Sequence, residues 1–113
     1  MQVLKFGGTS VANAQNISKV VDIVSKAAEN DRTILVCSAI SKCTDKLIKI
    51  GHLASSGDSD YVGLIDELQE RHHKIILELL PIEKQAELTE VCDLHFDSIR
   101  SICQGVFLSL IHI

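Results

Sequence analysis

Within six consecutive positions, Lys5-Phe6-Gly7-Gly8-Thr9-Ser10 combine a cation, two residues without side-chain bulk and two hydroxyls. Where a strand ends in Gly-Gly and a helix begins, several backbone N–H groups face one concavity, and such places bind anions, phosphate above all. A Cβ at either glycine would hold a phosphate away from the backbone. Lys5 can set a mobile positive charge against phosphate oxygens as negative charge builds during transfer. Thr9 and Ser10 add hydroxyl donors at the helix start. The same residues also fit a tight βα turn whose glycines only permit close packing, with Lys5 solvated. The run is no Walker A loop, because its lysine precedes the glycines and no GK[ST] follows; no GxGxxG is present either.

A second polar group stands further along the chain. In "VCSAISKCTD" (36–45), Ser38, Ser41 and Thr44 cluster where an apolar run ends. Taken singly, Ser38 is a strand-end hydroxyl and Thr44 a plain helix cap. Ligands of open parallel sheets sit beyond the carboxyl ends of the strands. If both runs are strands of one such sheet, Lys5, Gly7, Gly8, Thr9, Ser10, Ser38 and Thr44 come to one edge.

The elements that must position these groups follow from spacing. Val3, Leu4 and Phe6 make a short strand over 2–6. Ile17, Val20, Val21, Val24, Ala27 and Ala28 recur at three- and four-residue steps, the apolar face of a helix. Asn13 or Asn16 caps it, and "ENDR" (29–32) ends it. "TILVCSA" (33–39) is a nearly continuous apolar run, as in a strand covered on both faces. Strand, helix and strand at this spacing form a βαβ unit with a parallel pair and a right-handed crossover.

Beyond it the chain reads as helical. A helix starts at Thr44 or Asp45 and stops near Gly57; a longer pattern covers 59–80, with Tyr61, Leu64, Ile65, Leu68, His72, Ile75, Ile76 and Leu79 inward. Pro81, the only proline, breaks it. A further helix over 83–104 places Leu88, Val91, Cys92, His95, Phe96, Ile99, Ile102 and Cys103 inward, so the two form an αα-hairpin. "GVFLSLIHI" (105–113) is apolar and uncapped. It reads as a strand needing neighbours or as a truncated or altered frame, with 109–113 an atypical tail.

Composition sets the outer bounds. The 113 residues make one domain at most, or part of one, and 46% hydrophobic content with a mean hydropathy of +0.22 implies a buried core. A net charge of −4 with scattered Lys and Arg argues against nucleic acid and anionic membranes as partners. No run approaches the roughly 18 apolar residues of a membrane span. Nothing at the N-terminus suggests export, and four irregularly spaced cysteines read as reduced in a cytoplasmic protein.

Other chemistry is weaker. His72 and His73 are adjacent and point to different helix faces. Cys92, His95 and Cys103 share a helical face at zinc-like steps, yet apolar Leu88, Phe96 and Ile99 lie on it too, so buried cysteines and a satisfied histidine are the simpler account. Cys37 and Cys43 have no visible activating base. Asp58, Asp60, Asp66 and Glu67 spread over a loop and a helix face and read as solvated surface.

"KFGGTSV" near the N-terminus, followed about thirty residues later by "VCSAISKCTD", resembles the aspartate kinases of the amino-acid kinase family, and most closely the start of the bifunctional aspartokinase–homoserine dehydrogenases. The resemblance spans 1–108 and is strongest before residue 55. It implies the N-terminal part of an αβα sandwich, interrupted after its first βαβ unit by the helical hairpin. It implies transfer of the γ-phosphoryl of ATP, carried with Mg²⁺, to the β-carboxylate of L-aspartate, the first step towards lysine, threonine and methionine. Lys5 would then be catalytic; Lys5, Gly7, Gly8, Thr9 and Ser10 would bind ATP; Ser38 and Thr44 would contact aspartate. No protein-bound metal is implied, and the parent enzyme would be a homo-oligomer. The 113 residues alone are expected to be inactive, because the family's downstream acidic and arginine residues have no counterpart here. Two other readings remain: a non-catalytic assembly module built on the hairpin, and an amino-acid kinase for another carboxylate.

Overall fold

A computed structural model describes residues 1–111, which divide into two compact units, the first covering Met1–Cys43 and the second beginning at Thr44. In the first, β1 (Gln2–Phe6) and β2 (Thr33–Cys37) pair in parallel with Gln2 opposite Thr33 and Phe6 opposite Cys37. A single 3-10 turn, Gly8–Val11, separates β1 from α1 (Ala14–Asn30). Asn13 caps α1 by accepting the Asn16 N–H at 2.9 Å. Val11 of the turn is buried, as are Ala14 and Val20 of α1. The Gln2 side chain ties the layers together, donating to the Ala27 carbonyl and to the Thr33 hydroxyl, both at 2.9 Å.

The βαβ unit expected from spacing is therefore present, with two differences: Val21 and Ala28, expected on the apolar face of α1, are exposed, and so is the apolar run of β2. Ile34, Leu35 and Val36 are 46%, 45% and 45% exposed rather than buried on both faces. Among the described residues the sheet has two strands, so the continuous apolar run of β2 is only half covered.

The second unit is helical: α2 (Cys43–Ser55, opening on the last residue of the first unit), α3 (Tyr61–Leu79) and α4 (Ile82–Ile111). Gly57, at φ +77°, closes α2 in a left-handed cap. Its N–H reaches the Ala54 carbonyl at 3.2 Å, and the Asp58 N–H reaches Leu53 at 2.9 Å. α3 and α4 form the expected hairpin, hinged at Leu80 and Pro81. Ile65, Leu68 and Ile76 of α3 are buried, as are Phe96 and Cys103 of α4. The Tyr61 and Phe107 rings pack at 5.6 Å, and the His72 ring meets Phe96 edge-on at 5.2 Å.

α4 departs from expectation in two ways. It runs past Gln104 to Ile111 as helix rather than strand, while residues 112 and 113 lie outside the described residues. Leu88, Val91, His95 and Ile102, expected inward, are exposed. The true inner stripe is Thr89, Cys92, Asp93, Phe96, Ile99, Arg100, Cys103 and Phe107, a narrow seam suited to one partner helix. The sequence has apolar residues around most of α4, so counting them overstated the width of that seam.

Candidate functional site

The carboxyl end of the parallel pair is built by two loops. Past β2 the ladder gains one more bond, from the Ser38 N–H to the Phe6 carbonyl at 3.0 Å. Gly7 then leaves β1 in extended conformation and caps the 3-10 turn without any side-chain bond. The Ser10 N–H turns back to the Gly7 carbonyl at 3.1 Å. Gly8 and Thr9, the first two residues of the turn, present N–H groups that have no acceptor inside it. The Thr9 carbonyl is held from two sides, by the Ala12 N–H at 3.4 Å and the Asn16 side-chain amide at 3.0 Å.

The two glycines have different reasons. A Cβ on Gly8 would stand 3.3 Å from the Ser41 Cα and 3.5 Å from the Ala39 carbonyl, so Gly8 lets the loop after β1 close against the loop after β2. A Cβ on Gly7 would meet nothing within 4 Å. Gly7 borders open space at the loop, so added bulk there would not disturb the fold. Lys42, at φ 64°, reverses the second loop, and the Cys43 N–H closes it on the Ile40 carbonyl at 3.0 Å.

Lys5, Gly7, Gly8, Thr9, Ser10 and Ser38 thus share the carboxyl end of one parallel pair in the first unit. Thr44 is the second residue of α2 and belongs to the second unit. Side chains alternate along a strand, which separates Lys5 from part of this set. Phe6, Thr9 and Ser10 line a groove of about 370 Å³ with Asn16, Lys19, Val20 and Ile23 of α1. Lys5 shares the opposite face of β1 with Val3, and both are exposed. Lys19 is a cation that motif reading passed over. Its signal was its place on one helical stripe with Asn16, Val20 and Ile23.

The second unit holds a polar ladder between α3 and α4 that spacing did not disclose. His73 Nε2 and Asp93 Oδ1 are 2.6 Å apart, and the Gln69 side-chain amide donates to the same oxygen at 2.8 Å. Arg100 donates to the Gln69 side-chain oxygen and to Asp66 Oδ1, the latter at 2.7 Å. Asp66 is thus a hairpin ion pair, and Asp58 accepts the Asp60 N–H at 2.9 Å in a local turn. Burial pushes the Cys103 thiol up, and burial with the neighbouring Asp93 charge does the same for Cys92. Cys37 is exposed and Cys43 buried.

The hydrogen bonds from His73 and then Gln69 hold the Asp93 carboxyl below its ordinary range. A carboxyl depressed by folding adds stability above the unfolded value of about 3.9, and that stability is lost as pH falls through the lower folded value. Asp93→Asn is therefore expected to be less stable than wild type at neutral pH. The gap should close as pH falls below about 4 in urea melts run across the acid range. A gap that stays constant into acid would show that the Asp93 charge contributes nothing.

The model of the amino acid kinase family matches residues 1–101. This chain belongs to the amino acid kinase family. It is 28% identical over 107 residues to a chloroplastic bifunctional aspartokinase/homoserine dehydrogenase of Zea mays, covering 95% of this chain and 12% of that protein. A bifunctional aspartokinase/homoserine dehydrogenase of Buchnera aphidicola is 28% identical over 110 residues, 96% of this chain and 14% of that protein. An aspartokinase of Rickettsia prowazekii is 42% identical over 55 residues, 48% of this chain and 12% of that protein. This family member thus spans about an eighth of the length of the first of these relatives. Among the described residues no helix is long and apolar enough to cross a membrane.

Proposed function

We propose that this chain is the N-terminal part, residues 1–108, of an aspartate kinase domain, an αβα sandwich in its complete form. That enzyme moves the γ-phosphoryl of ATP to the β-carboxylate of L-aspartate. The observation that carries the reading is the convergence of two βα loops at one sheet end. Gly8 lies against Ser41 there, with Lys5, the Gly7–Ser10 turn and Ser38 at the same end.

In this reading the N–H groups of Gly8 and Thr9 and the hydroxyls of Thr9 and Ser10 hold ATP phosphates. Lys5 balances the charge of the phosphoryl group in flight. Ser38 and Thr44 contact aspartate. In-line transfer needs positive charge and oriented donors rather than a covalent nucleophile. None of these residues is a carboxylate, which suits magnesium entering on the ATP phosphates. The chain spans 12% of its maize relative, and we propose that turnover also needs residues outside it. The proposed setting is the cytoplasm, in a homo-oligomer.

Thermal unfolding with MgATP tests the reading. MgATP at a hundred times its Kd should stabilise the protein by about 2.7 kcal/mol, and adenosine should not. Gly7→Ala should melt at the wild-type temperature without nucleotide, since its Cβ meets nothing within 4 Å, yet lose most of the MgATP shift. Equal shifts in wild type and Gly7→Ala would move the phosphate site away from this turn.

A further inference from the structure

Outside the phosphate turn, one cluster of metal-ligating groups stands among the described residues: His73 of α3 with Cys92 and Asp93 of α4. One donor atom from each, an imidazole nitrogen, the thiol sulfur and a carboxylate oxygen, lies within 4.8 Å of the others. All three residues are partly buried. Consecutive residues on a helix point about 100° apart, so Cys92 and Asp93 flank a gap that a third group must span, and His73 does so from the facing helix. We propose that His73, Cys92 and Asp93 form a binding site for a zinc-class divalent cation, with a fourth coordination position open to water.

Three observations carry this. First, the donor set is one sulfur, one nitrogen and one oxygen, the mixture zinc accepts and the hard alkaline-earth ions do not. Second, metal–ligand lengths of about 2.0–2.3 Å place tetrahedral donors roughly 3.3–3.8 Å apart. The 2.6 Å His73–Asp93 pair need only open, and the Cys92 sulfur move inward, by side-chain rotation. Third, the carboxylate already has an outer support. Gln69 donates to Asp93 Oδ1 and is itself held by Arg100, leaving Asp93 Oδ2 for the cation. Such outer contacts orient metal ligands.

Charge balance agrees. A Cys92 thiolate and an Asp93 carboxylate together neutralise a divalent cation beside a neutral imidazole. On binding, the thiol proton leaves to solvent, and His73 gives up the hydrogen bond from Nε2 and carries its proton on Nδ1. The neighbouring histidines are otherwise placed. His72 Nδ1 lies 2.8 Å from the Leu68 carbonyl with its ring on Phe96, and His95 is exposed outside the cluster.

Cobalt(II) titrated into the reduced 113-residue chain tests the site. The expected result is a thiolate-to-cobalt charge-transfer band with intense tetrahedral visible absorption, saturating stoichiometrically and erased by zinc. Cys92→Ser and His73→Ala should lose the band, Cys37→Ser should keep it, and Gln69→Ala should weaken binding about tenfold. Independently of any variant, zinc should slow alkylation of Cys92 at least tenfold and leave the exposed Cys37 unchanged. Absence of the band in the folded wild type, its survival in Cys92→Ser, or equal alkylation with and without zinc would overturn the proposal.

Discussion

Lys5→Ala, made in the protein that carries this chain, is expected to lower aspartate-dependent ADP formation by on the order of 10²–10³-fold, as loss of one well-placed transition-state donor does elsewhere. The fold should not notice. Lys5 is exposed on the open face of β1 and its side chain makes no hydrogen bond or ion pair among the described residues, so its removal leaves no buried group unpaired. Its ladder bonds to β2 are main-chain and survive the change. An equal fall in kcat and kcat/KM would mark a charge felt only as the phosphoryl group moves; a rise in KM alone would mark ground-state ATP binding. Lys19 supplies the contrast, because it lines the groove with Thr9 and Ser10 on the other side of β1. If Lys19→Ala carries the loss and Lys5→Ala stays within about twofold of wild type, the phosphates lie in the α1 groove and the assigned role of Lys5 is wrong.

Local pattern made the first unit legible. Short apolar runs, a 3.6-residue period between them and an asparagine at the right offset are signals held within a few residues, and β1, α1, β2 and the Asn13 cap all rest on such signals. What escaped reading depends on groups distant in sequence. The need for glycine at position 8 comes from Ser41, thirty-three residues on, and only the parallel pairing brings the two together. Lys19 gains meaning from the groove, not from a motif. In the hairpin, His73 and Asp93 meet because the turn at Leu80 and Pro81 fixes the register between α3 and α4, and no helical period encodes that register. The width of the α4 seam was misread for a related reason. Apolar residues such as Leu88 and Ile102 match the period but have no facing helix among the described residues.

Leu68→Ala is expected to destabilise the second unit by about 2–5 kcal/mol, the range for deleting a buried leucine side chain beyond its Cβ. Leu68 is 1% exposed and its neighbour one turn back, Ile65, 0%, so the void opens at the centre of the α3–α4 seam, where collapse is hardest. Stabilities of roughly 0.05–0.15 kcal/mol per residue give a helical unit of this size only about 3–10 kcal/mol in all. The loss therefore takes a large share of what holds the hairpin. Leu77, on the same helix and 61% exposed, provides the control: Leu77→Ala should shift the unfolding midpoint by less than about 0.5 kcal/mol equivalent. Hydrogen exchange locates the damage. Amides of α3 and α4 should lose protection in Leu68→Ala and keep it in Leu77→Ala. Because Gln69, His72 and His73 follow Leu68 within about a turn and a half, loosening here also disperses the groups around Asp93. A Leu68→Ala protein as stable as Leu77→Ala would mean that the apolar seam is not what joins the two helices, and that the polar ladder from Asp66 to His73 carries the hairpin instead.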